Sequence, residues 1–449
     1  MSKKRGKRRK ARSVDQKALA GEVMAAAREY GYGGNLAYDR VANLITVDDG
    51  RVLNLANASA ECRGVSAAAR KSILRPYARC LAMADRADLS DLRKVGGRLL
   101  PHVVPAAIFA LAETRRQLTS ESGHVYHAFG DAWGVEVVVE EEDYFSSVPQ
   151  KTLDDWGVSW DTVLDIARAN LLARSSLPFR RVQPGLYASM WHDNHDPSRL
   201  LLLDLVRRLP VEGVHVAAAP NRDLLVITGS EDADGLTAMA SILETELERH
   251  PRPWDGRVAQ LDGSTWIPFM PPEDHPAYPR LLGLEYDARQ AEAQRQQAVL
   301  QEAVNRDMGE RAPFVASFLR MTTPGTLVPR SLCVWGELAG PSMLPVTDMV
   351  ALMTKKQFLG IAQWPRLMTV CGDMMRPQGL RPERYIVTGF PTAEQLAAIE
   401  LMPPQDMAAF ADRDRERHAA EDRSVESHSG QPRPTVPASE KPDGPSSES

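Results

Sequence analysis

GLYASMWHDNHDPSRLLLLDLVRRLPVEGVHVAAAPNRDLLVITGSEDADGLTAMASILETEL, residues 185–247, is the stretch on which the reading of this chain turns. Its apolar segments 185–191, 214–219 and 224–228 are short enough for strands. Between the first two, residues 200–209 are apolar on more than one side, as a helix pressed into a core would be. After the third, Leu236, Met239, Ala240, Leu243 and Leu247 fall on one face of an amphipathic helix. The unit runs strand, helix, strand, tight turn, strand, helix. It implies an α+β fold, a mixed sheet with packed helices, and it carries no recognised catalytic signature.

The surrounding chain sets bounds on that unit. With 449 residues it is too long for one ordinary core, so two folded domains with tails are expected. An apolar content of 43% with 25% charged residues is that of a soluble globular protein. No run approaches the roughly 20 apolar residues that span a bilayer, and no apolar stretch of signal-peptide type follows the basic start. Cys62, Cys80, Cys333 and Cys371 are scattered with no CxxC pair. That pattern argues against a zinc knuckle or a disulfide framework and fits a reducing cytoplasm. Within the net charge of -5, residues 1–12 carry eight basic side chains and no acid. Lys3, Lys4, Arg5, Lys7, Arg8, Arg9, Lys10 and Arg12 have too little apolar surface beside them to fold. They read as a non-specific contact for nucleic acid or as a solubilising start, with no aromatic residues interleaved for stacking on bases.

Residues 13–30 read as a helix that Gly31 ends, followed by a hairpin (43–47, 51–55) turning at Asp49-Gly50. Residues 66–83 are helical, with Pro76 inside. The apolar run 92–111 is interrupted by Gly96, Gly97, Pro101 and Pro105 and reads as two short pieces, with His102 between them as a packing residue. Residues 135–139 form a strand, closed by Glu140-Glu141-Glu142-Asp143 as a solvated end whose charges deter edge pairing. A helical turn at 152–156 leads through Gly157 to a helix at 159–172, with Ser159 as N-cap and Trp160, Val163, Leu164, Ala167 and Leu171 on one face.

The order of these features resembles the YtpQ-like family of uncharacterised bacterial proteins over residues 35–270. The resemblance rests on the early hairpin ending Asn54-Leu55, the 134–139 strand, the segment LDDWGVSWDTVLDIARANL (153–171) and the turn Pro220-Asn221-Arg222-Asp223. It implies a bacterial, cytoplasmic α+β domain and brings no activity, cofactor or catalytic residue.

Prolines 268, 271, 272, 276 and 279 mark a boundary, and residues 284–308 form a polar, Gln- and Ala-rich helix of the kind that bridges two domains. The expected organisation is a basic tail at 1–12, a main domain at 13–272, a linker and bridging helix at 273–310, a smaller β-rich module at 311–404 and a charged, then Pro/Ser-rich, disordered tail at 405–449. In the module, 314–319, 331–335, 349–353 and 384–387 are strand candidates and 392–399 is a closing helix. Its methionines, among them Met343, Met349 and Met353, are expected to fill the core.

Chemistry has one candidate centre, His192-Asp193-Asn194-His195-Asp196, directly after a strand. His192, Asp193 and His195 form a possible ligand set for a divalent metal that activates water, with His124, His127 and Asp131 as an upstream group. The competing reading makes Asp196 the N-cap and Pro197 the first residue of the next helix. No phosphate-cradling glycine motif and no Gly-x-Ser-x-Gly is present. The favoured function is therefore a non-enzymatic binding or interaction role, with another protein as the expected partner and no cofactor. A metal-dependent hydrolase and a protein tethered to nucleic acid by its basic tail are the alternatives.

Overall fold

The structure is a computed structural model. It describes residues 14–403 apart from 41–42, 49–51, 83–87, 120–124, 143, 308–312, 323–327 and 339. The basic segment 1–12, the turn Asp49-Gly50, His124, Asp143 and the tail 405–449 lie outside the described residues.

Asp15 opens helix α1 (Gln16–Glu29) by accepting the N–H groups of Lys17 and Ala18. The helix buries the stripe Leu19, Ala20, Val23 and Ala27. The expected hairpin is present as β2 (Leu44–Val47) and β3 (Val52–Asn54), and β1 (Leu36–Asp39) adds a third antiparallel strand. Helices α2 (Ala56–Glu61) and α3 (Ala67–Ala82, with Pro76 inside) complete this lobe. Ile45, Leu55, Leu74, Ala78 and Leu81 pack on α1, so residues 14–82 hold a core of their own within the expected first domain.

The next segment departs from the sequence reading. After α4 (Leu92–Val95), the stretch read as two interrupted pieces is strand β4 (Leu99–Pro105) running into helix α5 (Ala106–Thr119). Both prolines are tolerated because β4 pairs with only one strand and lies at a sheet edge. It joins β5 (His127–Phe129), β6 (Trp133–Glu140) and β7 (Phe145–Ser147), all antiparallel. Helix α6 (Gln150–Trp156) ends at Gly157, whose φ of 64° is left-handed. Ser159 then caps α7 (Trp160–Arg174) by accepting from Thr162, as expected.

The stretch 185–247 lies in a six-stranded sheet of order β13-β12-β10-β11-β9-β8. Its strands are β8 (Arg180–Gln183), β9 (Leu186–Ala188), β10 (His215–Asn221), β11 (Leu224–Gly229), β12 (Val258–Asp262) and β13 (Thr265–Pro268). The segment read as a single helix at 200–209 is instead a 3-10 stretch, Pro197–Leu201, and a short α8 (Leu203–Arg207). The break at Leu202 lets consecutive leucines serve different cores. Leu200 and Leu201 fill the space between the two sheets with Val103, Trp133, Ile227 and Trp266, while Leu202 joins Leu100, Val138 and Leu171. The other face of the six-stranded sheet is covered by α9 (Ala233–Arg249) through Leu236, Met239, Ala240 and Leu243. Fully burying a side chain such as Leu236, Met239 or Leu243 contributes about 1.5–3 kcal/mol each.

Helix α10 (Tyr278–Asp307) follows the proline cluster and is polar in composition, but it is not a solvent-exposed strut. It buries Leu281 and Leu284 against α9, and farther along Ala293, Gln296, Leu300 and Ala303. Small alanines let neighbours approach, and glutamines bond them: Gln296 Nε2 donates to Pro382 O (2.7 Å) and Gln297 Nε2 to Val315 O (2.9 Å). The C-terminal module is β-rich, as read, and contains two four-stranded sheets. One joins β14 (Phe314–Val315), β17 (Ser342–Pro345), β20 (Met375–Pro377) and β21 (Arg384–Val387). The other joins β15 (Leu319–Thr322), β16 (Pro329–Gly336), β18 (Met349–Met353) and β19 (Phe358–Gln363). The single strand expected at 314–319 thus splits between two sheets. Helices α11 (Trp364–Cys371) and α12 (Ala393–Ile399) close the module, α12 with a Thr392/Gln395 capping box. The architecture is α+β. Parallel pairing falls in this module (β14 with β17, β16 with β18), whereas the pairs of the two central sheets are antiparallel. Among the described residues, no helix is long and apolar enough to cross a membrane.

Candidate functional site

The loop after β9 is built around Arg199, whose side chain is fully buried. Its Nε donates to Ser175 Oγ (3.0 Å), and Nη1 and Nη2 grip Asp193 in a fork (3.0 and 2.8 Å). The guanidinium lies 4.0 Å over the Trp191 ring. Burial opposes ionisation of Asp193, but the hydrogen bonds and charge of Arg199 outweigh it and hold the carboxyl below its ordinary range. Asp193 Oδ1 also accepts His195 N–H (3.0 Å). This clamp fixes two left-handed residues that are not glycine, His192 (φ 51°) and Asn194 (φ 65°).

The three expected metal ligands are not brought together. The exposed His192 ring bonds Asp223 O through Nδ1 (3.0 Å), Asp193 is engaged by Arg199, and His195 turns inward to the edge of β4. Among the described residues, no group of three or more His, Cys, Asp or Glu side chains is placed to hold a metal ion. Of the upstream group, His127 stacks on Trp160 (4.5 Å between centroids) and Asp131 sits in the exposed β5–β6 turn.

The capping role read for Asp196 is also corrected. Its backbone is helical (φ -53°, ψ -48°) and its side chain caps nothing. Instead the buried carboxylate accepts from Asp193 N (3.3 Å) and from the Ser189 hydroxyl, and burial raises its pKa. The free edge of β4 is covered by this segment: Ser198 Oγ accepts Val103 N–H (3.0 Å), and Pro101 O accepts from His195 Nδ1 (3.2 Å).

That last bond fixes the proton of the neutral imidazole on Nδ1, because a carbonyl only accepts. His195 Nε2 is then an acceptor with no hydrogen-bond partner among the described residues, 3.8 Å from Glu140 Oε1. Burial, reinforced by the neighbouring His102, pushes the His195 pKa down to about 4. His102 is more than packing: its Nδ1 lies 3.0 Å from Glu136 Oε1, and Ser147 Oγ donates to Glu136 Oε2 (2.6 Å).

Phe145 packs on both imidazoles and forms part of the floor of a cleft of about 520 Å³. One wall is the α3 face carrying Ile73, Pro76, Tyr77 and Cys80. The other is the β6–β7 hairpin, with Asn194 and Arg222 on the rim. Of the acidic run, Glu140 and Glu141 are largely covered, while Glu142 keeps most of its side chain in solvent. Glu140 pairs within the sheet with Phe145 and is held by Arg174, Arg98 meets Glu141 (2.6 Å), and Arg79 meets Glu142 (2.8 Å). Arg79–Glu142 joins the N-terminal lobe to the hairpin, and Arg252–Glu61 joins it to the segment after α9. Arg79–Glu142, exposed on its acidic side, contributes about 0–1 kcal/mol, whereas Arg252–Glu61 is largely covered on both sides.

Arg199 escaped the sequence reading. Its signal was present: a lone cation in Pro197–Leu203, with no polar face to send it to water, must find an upstream acid. The cleft carried no such local signal, since facing residues such as Pro76 and Phe145 are far apart in the chain. Comparisons with protein-family models, curated proteins and solved structures returned no match.

Proposed function

We propose that the protein acts by binding, and that its ligand lies in the cleft between the N-terminal lobe and the β6–β7 hairpin. The observation that carries this reading is a 520 Å³ concavity where two bodies with separate cores meet. Ligand sites favour such boundaries and have volumes of about 300–1,000 Å³. The walls suit recognition: an apolar surface from Ile73, Pro76 and Phe145, with a few polar groups on the rim. The resemblance to YtpQ-like proteins and a cytoplasmic setting are compatible with this role.

The test is a thermal-shift screen of neutral, anionic and cationic fragments on the full chain and on Ile73→Glu, which charges the apolar wall. Fragments that raise the Tm of the native chain should lose that effect in the variant. Stabilisers that work equally on both, or no stabiliser in any charge class, would refute a cleft site.

A further inference from the structure

We infer that the ligand of this cleft is a small organic anion, its apolar ring or chain on Ile73, Pro76 and Phe145 and its acidic head between Asn194 and Arg222; this rests on the binding reading above. The rim is a built feature. His192 bonds the carbonyl of Asp223, stitching the Arg199-clamped loop to the turn that carries Arg222. Asn194 is thereby held with a left-handed backbone on the cleft rim.

The charges around the cleft are unequal in their commitments. Glu140, Glu141 and Glu142 are each matched by an arginine, and Arg252 is paired with Glu61. Arg222 makes only a long contact, Nε to the adjacent Asp223 Oδ2 at 3.4 Å, and among the described residues its Nη groups have no hydrogen-bond partner. A guanidinium with an open fork, in a cleft that Asn194 also lines, matches a carboxylate or similar planar anion. Arg222 and Arg252 both act electrostatically on the Tyr77 hydroxyl, where Glu61, which accepts its hydrogen bond, opposes them. The half-buried apolar residues below supply the contact area that a bare inorganic anion would leave unused.

Three probes with one naphthalene body separate the possibilities: 2-naphthoate, 2-naphthamide and 2-naphthamidine, titrated calorimetrically into the full chain at pH 7. Naphthoate should bind about 10- to 100-fold more tightly than naphthamide, the range of a charge-assisted hydrogen-bond pair, and naphthamidine should bind most weakly. Arg222→Gln should bring naphthoate to the level of naphthamide. Asn194→Gly, which keeps the left-handed backbone, should weaken naphthoate severalfold. Naphthamide binding as well as naphthoate, or an unchanged naphthoate affinity in Arg222→Gln, overturns the anion inference while leaving the cleft reading standing. Failure of all three probes, together with no stabiliser in the fragment screen, overturns both.

Discussion

Replacing Arg199 with Met removes the charge and keeps most of the apolar stem. The guanidinium makes three side-chain hydrogen bonds, two of them to one carboxylate, from a fully buried position. Removing one partner of a buried ion pair costs about 3–5 kcal/mol, because the other is left uncompensated. Asp193 keeps 31% exposure of its side chain and can rehydrate in part, which places the expected loss near the low end, about 3 kcal/mol. That is a large share of a typical stability of about 5–15 kcal/mol. In urea it should lower the midpoint by about 1 M or more. Asp193→Asn should cost a similar amount, and the double variant should lose clearly less than the two single losses combined, since both act on one pair. The Asp193 carboxyl is held below its ordinary range, so the contribution of the pair is present above the unfolded pKa of about 3.9 and is lost as the pH falls through the folded value. A loss under about 1 kcal/mol for Arg199→Met, or strict additivity, would show that this clamp does not hold the loop.

His195 titrates near pH 4 in the fold, against about 6.5 unfolded, so the unfolded chain binds the extra proton between these values. Its contribution to stability should be full above pH 6.5 and decline towards pH 4, by on the order of 3 kcal/mol. His195→Gln should flatten that part of the stability profile, and an unaltered slope would mean the histidine is not buried neutral. Asp196→Ala should cost about 1–3 kcal/mol by stranding the Asp193 N–H and the Ser189 hydroxyl. Asp196→Asn should stay within about 1 kcal/mol of native, because it keeps an acceptor and removes a charge that burial disfavours; an equal loss in both variants would refute this. Arg384 is buried among neutral acceptors, Gln296 Oε1 and the carbonyls of Ala293, Ala316 and Met343, and burial lowers its pKa to about 10. Arg384→Leu should destabilise the C-terminal module by about 3 kcal/mol or more, read as early proteolysis within residues 313–403; native-like resistance would contradict it.

The legible parts of the fold were those whose cause is local. The stripe Leu236, Met239, Ala240 and Leu243 marks α9 at helical spacing, and Ser159 and Thr392 mark helix starts by cap chemistry. Strand β4 was obscured because Pro101 and Pro105 break the pattern, and only its position at a sheet edge makes them harmless. The leucines of 200–203 carry no period because they face two cores at once. The fate of Glu140–Glu142 was not legible either, since the arginines that hold them lie 34 to 63 positions away. The loop 192–196 is conspicuous in the sequence for its density of His, Asp and Asn. Its purpose differs from the expected one because Asp193 meets Arg199, a contact that depends on a buried guanidinium and not on ligand spacing.

The most direct measurement is a methyl NMR titration of the full chain with 2-naphthoate, following Ile73 and Leu53 on the cleft wall and Val350 and Leu352 in the C-terminal core. Saturable shifts at Ile73 and Leu53, with Val350 and Leu352 unmoved, are the predicted result. Shifts of equal size at all four, or none at Ile73 and Leu53 while naphthoate binds, would contradict a binding site in the cleft.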